Sequence, residues 1–96
     1  METDDYEWDD AKAEANFRKH KVRFEHGLEA CEDPFAVVEY DDNLDYGEDR
    51  FVLTGQALGG ILTVIYTERG DRRRIISVRE ANAHERQIYN RAAQDE

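Results

Sequence analysis

The apolar positions change period once along the chain, from helical to alternating, and return to helical at the end. Tyr6-Glu7-Trp8 alternates and reads as a short edge strand. Asp9 then stands as an N-cap with Asp10 in the first turn, ahead of a run of helix formers carrying Ala11, Ala13, Ala15 and Phe17, so a helix is expected to His20. Phe24, Leu28 and Cys31 fall at i, i+4 and i+7, which predicts a second helix over Phe24–Cys31, ended by Asp33-Pro34. Strand-like runs follow at Phe35–Tyr40, Arg50–Ala57, Ile61–Glu68 and Arg72–Val78. They are separated by a polar loop over Asp41–Asp49 and by turns at Leu58-Gly59-Gly60 and Arg69-Gly70-Asp71. Ile61, Leu62, Val64, Ile65 and Tyr66 put apolar groups on both faces, as in a central strand. Asn82 and Glu85 form a capping-box pair opening a last helix over Ala83–Ala93, with Ile88 and Ala92 inward and Tyr89 near the stripe's edge. The expected class is α+β: two N-terminal helices, an antiparallel four- to five-stranded sheet and a closing helix.

Length and charge narrow the picture. Ninety-six residues make one domain with a modest core. The single cysteine, Cys31, cannot form an internal disulfide and reads as a buried structural thiol. The N-terminus has neither the basic region nor the apolar run of a signal peptide, and no stretch is apolar enough to span a bilayer, so a cytoplasmic protein is expected. The net charge of −10 is unevenly placed: residues 1–68 carry −12, whereas residues 69–91 carry +4. Arg69, Arg72, Arg73, Arg74 and Arg79 crowd one predicted hairpin, with Arg50 on the strand before it. Such an overall charge disfavours loose binding to nucleic acid, yet guanidinium groups gathered on one hairpin suit phosphate or carboxylate. The plainer alternative is a solvated surface of scattered charge.

The order of several short segments resembles the BrnT toxins of bacterial type II toxin–antitoxin pairs. They are E-W-D-x-A-K-A-x-x-N-x-R-K-H (Glu7–His20), V-x-F-E (Val22–Glu25), D-P (Asp33-Pro34) and G-E-D-R-F (Gly47–Phe51). Y-T-E-R-G (Tyr66–Gly70), R-I-I-S-V-R (Arg74–Arg79) and E-R-x-x-Y (Glu85–Tyr89) complete the set. The resemblance implies a RelE-like fold and a ribonuclease that stops translation. It also implies a BrnA-type DNA-binding antitoxin, expected to join two toxins through an antitoxin dimer, with DNA met only through that partner. The chain departs from the family pattern at Lys21, where glycine commonly follows Lys-His, at Val78, where alanine is usual, and at Glu80, where a second basic residue is common.

RNA cleavage without metal needs a group to take the 2′ proton, cations for the phosphorane charge and a proton for the departing oxygen. Arg79 and Arg50, at matched motif positions, are the candidates for the charge. Arg74, Lys19 and Arg69 would hold the RNA backbone. His20, Glu48 or Glu68 would move the proton. His20 closes a helix whose dipole favours its protonated form. Arg50 and Arg69 flank the two glutamates in sequence. Arg86 and Tyr89 could clamp or stack on a nucleotide, and the competing reading, which the pattern favours, makes Tyr89 a half-buried core residue instead. Strict alternation puts Arg72 and Arg74 on one face of the strand, and Arg73 and Arg79 on the other. No metal or cofactor is called for, since His26 and His84 lack ligand spacing. A second function class stays open: a catalytically degenerate toxin that only binds its antitoxin.

Overall fold

The computed structural model describes residues 1–42 and 47–94; residues 43–46 of the predicted loop, with Asp95 and Glu96, lie outside them. The described elements are β1 (Tyr6–Glu7), α1 (Asp10–His20), α2 (Phe24–Cys31), β2 (Val37–Asp41), β3 (Arg50–Ala57), β4 (Gly60–Arg69), β5 (Arg72–Glu80) and α3 (Ala83–Gln94). They form the expected α+β arrangement around one five-stranded sheet of order β1-β5-β4-β3-β2. β4 is central. β1 pairs parallel to β5, so the sheet is mixed rather than wholly antiparallel.

α1 and α2 cover one side of the sheet. Asp9 caps α1 as its sequence suggested, accepting from the Ala11 and Lys12 amides at 2.8 and 3.3 Å. α2 lays Phe24 and Ala30 on Leu53, Val64, Val78 and Ile75, and Trp8 meets Phe24 edge-on at 5.5 Å. Two glycines set how closely α2 approaches. A Cβ on Gly55 would stand 2.3 Å from the Ala30 carbonyl oxygen, and one on Gly27 would stand 2.7 Å from Val78 Cγ2. Val78, the departure from the family's alanine, therefore fills the space that Gly27 leaves.

β1 pairs only with Arg73 and Arg74, so the rest of β5 lacks a strand on its outer side. The Asn16 side chain takes that place. Its amide nitrogen donates to the Val78 carbonyl at 2.8 Å, and its oxygen accepts from the Val78 N–H at 3.2 Å. Asn16 is thus a buried polar residue with its hydrogen bonds made. At the other edge β2 is open, with Val38 and Tyr40 45% and 54% exposed.

β5 contains one residue more than the matching length of β4. Ser77 pairs with Ile65 and Ile75 with Tyr66, leaving Ile76 as a bulge. The side chains change phase there. Arg74 pairs with Thr67 and Arg79 with Thr63, and both partners lie on the same side of β4. Strict alternation fails for Arg79: it joins Arg72 and Arg74 on the side away from α2. Arg73 faces the helices, its guanidinium 4.8 Å from the Tyr66 ring centre, so it is half-buried rather than exposed at the turn.

Lys21 ends α1 in the left-handed region (φ 62°), where glycine is strain-free. Lys21→Gly is expected to raise stability by about 0.5–1 kcal/mol, a gain of a few degrees in Tm. Gly55→Ala is expected to cost about 3 kcal/mol, because backbone rather than a yielding side chain blocks the new methyl. Thermal and urea unfolding of the two variants check both signs.

Candidate active site

On the face opposite α1 and α2, cross-strand neighbours form ordered rows. One row runs Thr67, Arg74, Glu7, and Arg50, paired with Asp41, adjoins it one residue beyond the last β3–β4 pair, Phe51–Tyr66. Two residues along β4 lie Val52, Ile65 and Ser77, and a further two along lie Thr54, Thr63 and Arg79. α3 packs over the β2–β3 end of this face. Four residues of β4 separate the Arg50 row from the Arg79 row, about 13 Å along the strand. The sheet brings Arg50 and Arg79 to one face but not to one point.

The Arg79 end is built on Glu85. The capping box forms as read from sequence: the Glu85 amide donates to Asn82 Oδ1 at 2.8 Å, and the Asn82 amide donates to Glu85 Oε1 at 2.9 Å. The same carboxylate accepts two guanidinium bonds from Arg79, at 2.7 and 3.0 Å, and one from the Thr63 hydroxyl at 2.9 Å. With the Thr63 proton so committed, its 3.3 Å contact to Thr54 takes Thr54 as donor. Arg79 and these hydrogen bonds hold the Glu85 carboxyl down at about 2. His20, at the end of α1, is close enough to Arg79 to feel its charge. Burial first, then Lys19 and Arg79, push the imidazole below its ordinary value of 6.5. That direction is opposite to the one the helix dipole alone would give. Lys19 is exposed beside it.

The Arg50 end is built on Glu48, which lies 3.6 Å from Arg50 and 3.9 Å from Arg69. The flanking read from sequence is thus a spatial one. Arg74 pairs with Glu7 across the parallel strands at 2.7 Å. Glu68 is elsewhere: it pairs with Arg73 on the helix-bearing side and is exposed, away from the arginine rows. Arg86 donates to the Ala81 carbonyl at 3.0 Å, beyond the end of β5. Tyr89 is 4% exposed and gives its hydroxyl to Asp33. No ring face is left for a base to stack on, so Tyr89 serves the core, and burial together with Asp33 pushes its phenol up to about 12.

Sequence reasoning missed Glu85 as the partner of Arg79. The capping-box spacing marked Glu85, but its pairing depends on the bulge. It missed Asn16 as well, which a polar residue in mid-helix signals only weakly.

A small α+β domain with arginines gathered on one sheet face fits the class of RNA-directed toxins. The family model for BrnT, the ribonuclease toxin of type II toxin–antitoxin systems, matches residues 8–85. The chain belongs to that family, and with it to the ribonuclease toxins that are paired with an antitoxin. A comparison with curated proteins gave no match. No helix among the described residues is long and apolar enough to cross a membrane.

The Glu85 network has a consequence for acid stability. Its folded-state pKa lies below the ordinary glutamate value of 4.5, so its contribution is complete above pH 4.5 and is lost as pH falls toward about 2. Glu85→Gln is expected to remove on the order of 2 kcal/mol at pH 7 and to flatten the fall in stability between those values. Urea unfolding at a series of pH values measures both.

Proposed function

We propose that this chain is a metal-independent endoribonuclease whose reacting phosphate sits at Arg79 and His20. The Arg79 guanidinium, turned by the bulge to the far face and within charge range of His20, carries the reading. His20 takes the proton from a ribose 2′-hydroxyl. The 2′ oxygen bonds to the adjacent phosphorus, the bond to the 5′ oxygen breaks, and the proton goes to that departing oxygen directly or through solvent. The products are a 2′,3′-cyclic phosphate and a 5′-hydroxyl. Arg79 has five N–H donors. Two are spent on Glu85 and one on the Glu80 carbonyl, so the other two can meet the phosphorane oxygens. Arg50 and Arg74, about 13 Å along the sheet, and Arg69, two residues further along β4, hold the following phosphates rather than the same one. Lys19 contacts the backbone beside His20. Glu48 orders Arg50 and Arg69 until RNA displaces it, its contacts of 3.6 and 3.9 Å being loose.

In the cell the target is translation, the compartment the cytoplasm and the inhibitor a BrnA-type antitoxin in a two-to-two assembly. An acidic antitoxin segment set against the arginine rows would replace phosphate there. A second reading has its own observation: Arg50, Arg74 and Arg79 each already face a carboxylate. On that reading the chain only binds its antitoxin.

Purified protein on defined RNA, with EDTA present, decides between them. His20→Ala and Arg79→Ala are expected to lower the cleavage rate on the order of a hundredfold or more. Arg50→Ala is expected to weaken RNA binding and its salt dependence more than the rate of the bound complex. Arg73→Ala is expected to spare cleavage and lower Tm, since it packs on Tyr66. The rate should rise with pH along a limb below the ordinary imidazole value of 6.5 and then level off. Activity lost to EDTA, or full activity in Arg79→Ala and His20→Ala, would sink the mechanism. Antitoxin binding without any cleavage would favour the second reading.

A further inference from the structure

Around the end of β5 from Arg79 lies a cleft of about 410 Å³ that the mechanism above does not use. Strand alternation explains its position. Arg79 points to the open face, and the next residue, Glu80, pairs with Leu62 and turns toward the helix side. At the end of α1, His20 lies within range of the Arg79 charge, and the next residue, Lys21, lines the cleft. Its walls combine apolar Val22, Ile61 and Leu62 with Glu80 and the cations Lys21 and Arg86. Leu58, 90% exposed on the β3–β4 turn, stands at the rim with no packing role in the core. Both cations are steadied by backbone: Lys21 donates to the Arg18 carbonyl at 3.0 Å and Arg86 to that of Ala81 at 3.0 Å. Each keeps further donors.

We propose that this cleft is a nucleobase site and that the base it takes is guanine. The inference deepens the ribonuclease reading by naming a base preference for the site at Arg79. A base has two apolar faces and a polar edge, and the cleft offers apolar walls and a polar lining in the same small volume. Guanine alone among the four RNA bases presents two adjacent N–H donors, N1–H and the N2 amine, which the two oxygens of one carboxylate can accept together. Its O6 and N7 are acceptors, which suit Lys21 and Arg86. Glu80 thus has a role that its negative charge makes awkward for phosphate binding. It reads a base where a basic residue would hold a phosphate.

The test uses the intact protein and four nucleoside monophosphates, GMP, AMP, CMP and UMP, with binding followed by NMR at the Leu58, Gly59, Ile61 and Glu80 amides. GMP is expected to shift these resonances at millimolar concentrations, with at least tenfold weaker binding of the other three. Glu80→Gln, which can accept only one of the two N–H bonds, is expected to lose most of the preference, and Glu80→Ala all of it. Folding of both variants is checked by circular dichroism. Equal response to all four nucleotides, a response confined to the arginine face, or unchanged GMP preference in Glu80→Ala overturns the proposal. The assay does not depend on cleavage. Selective GMP binding by a chain that cuts no RNA would keep the base site and defeat the ribonuclease mechanism, and cleavage blind to guanine would do the reverse.

Discussion

One extra residue in β5 decides which side of the sheet the end of that strand serves. Without the bulge at Ile76, Arg79 would point into the helix-side layer occupied by Val78 and α2. A guanidinium there would need a buried partner, and desolvating the pair is costly. With the bulge, Val78 takes the buried place over Gly27, and Arg79 reaches Glu85 on the far side. The Asn16 amide holds this stretch of β5 where no strand does, hydrogen-bonding both polar groups of the Val78 backbone. The core, the placement of α3 through Glu85 and the arginine face therefore share one point of register.

The elements were legible because they follow period and local chemistry. Asp9, the Asn82–Glu85 box, the glycine turns and the apolar stripes are short-range signals, and the observed boundaries lie within a few residues of them. The site was legible only as a set of residue types. Alternation is a sound rule for a regular strand, and it put Arg73 and Arg74 correctly on opposite faces. It failed for Arg79 because a bulge has no compositional mark in R-I-I-S-V-R. Tyr89 kept its buried role because Asp33, fifty-six residues away in sequence, receives its hydroxyl. The His20 imidazole is pushed below its ordinary value, against what a helix end favours, by burial first and then by Lys19 and Arg79. Each of these outcomes depends on a neighbour that sequence spacing does not reveal.

The open edge of the sheet gives the chain's acidity a physical use. Among the described residues no strand lies beyond β2, where Val38 and Tyr40 are exposed, the arrangement along which identical chains add strand to strand. Glu39 and Asp41 lie within that strand, and Asp42 follows it. Two such edges brought together would set acidic side chains near one another, and like charge opposes strand-to-strand pairing of identical chains. A partner carrying positive charge meets no such barrier.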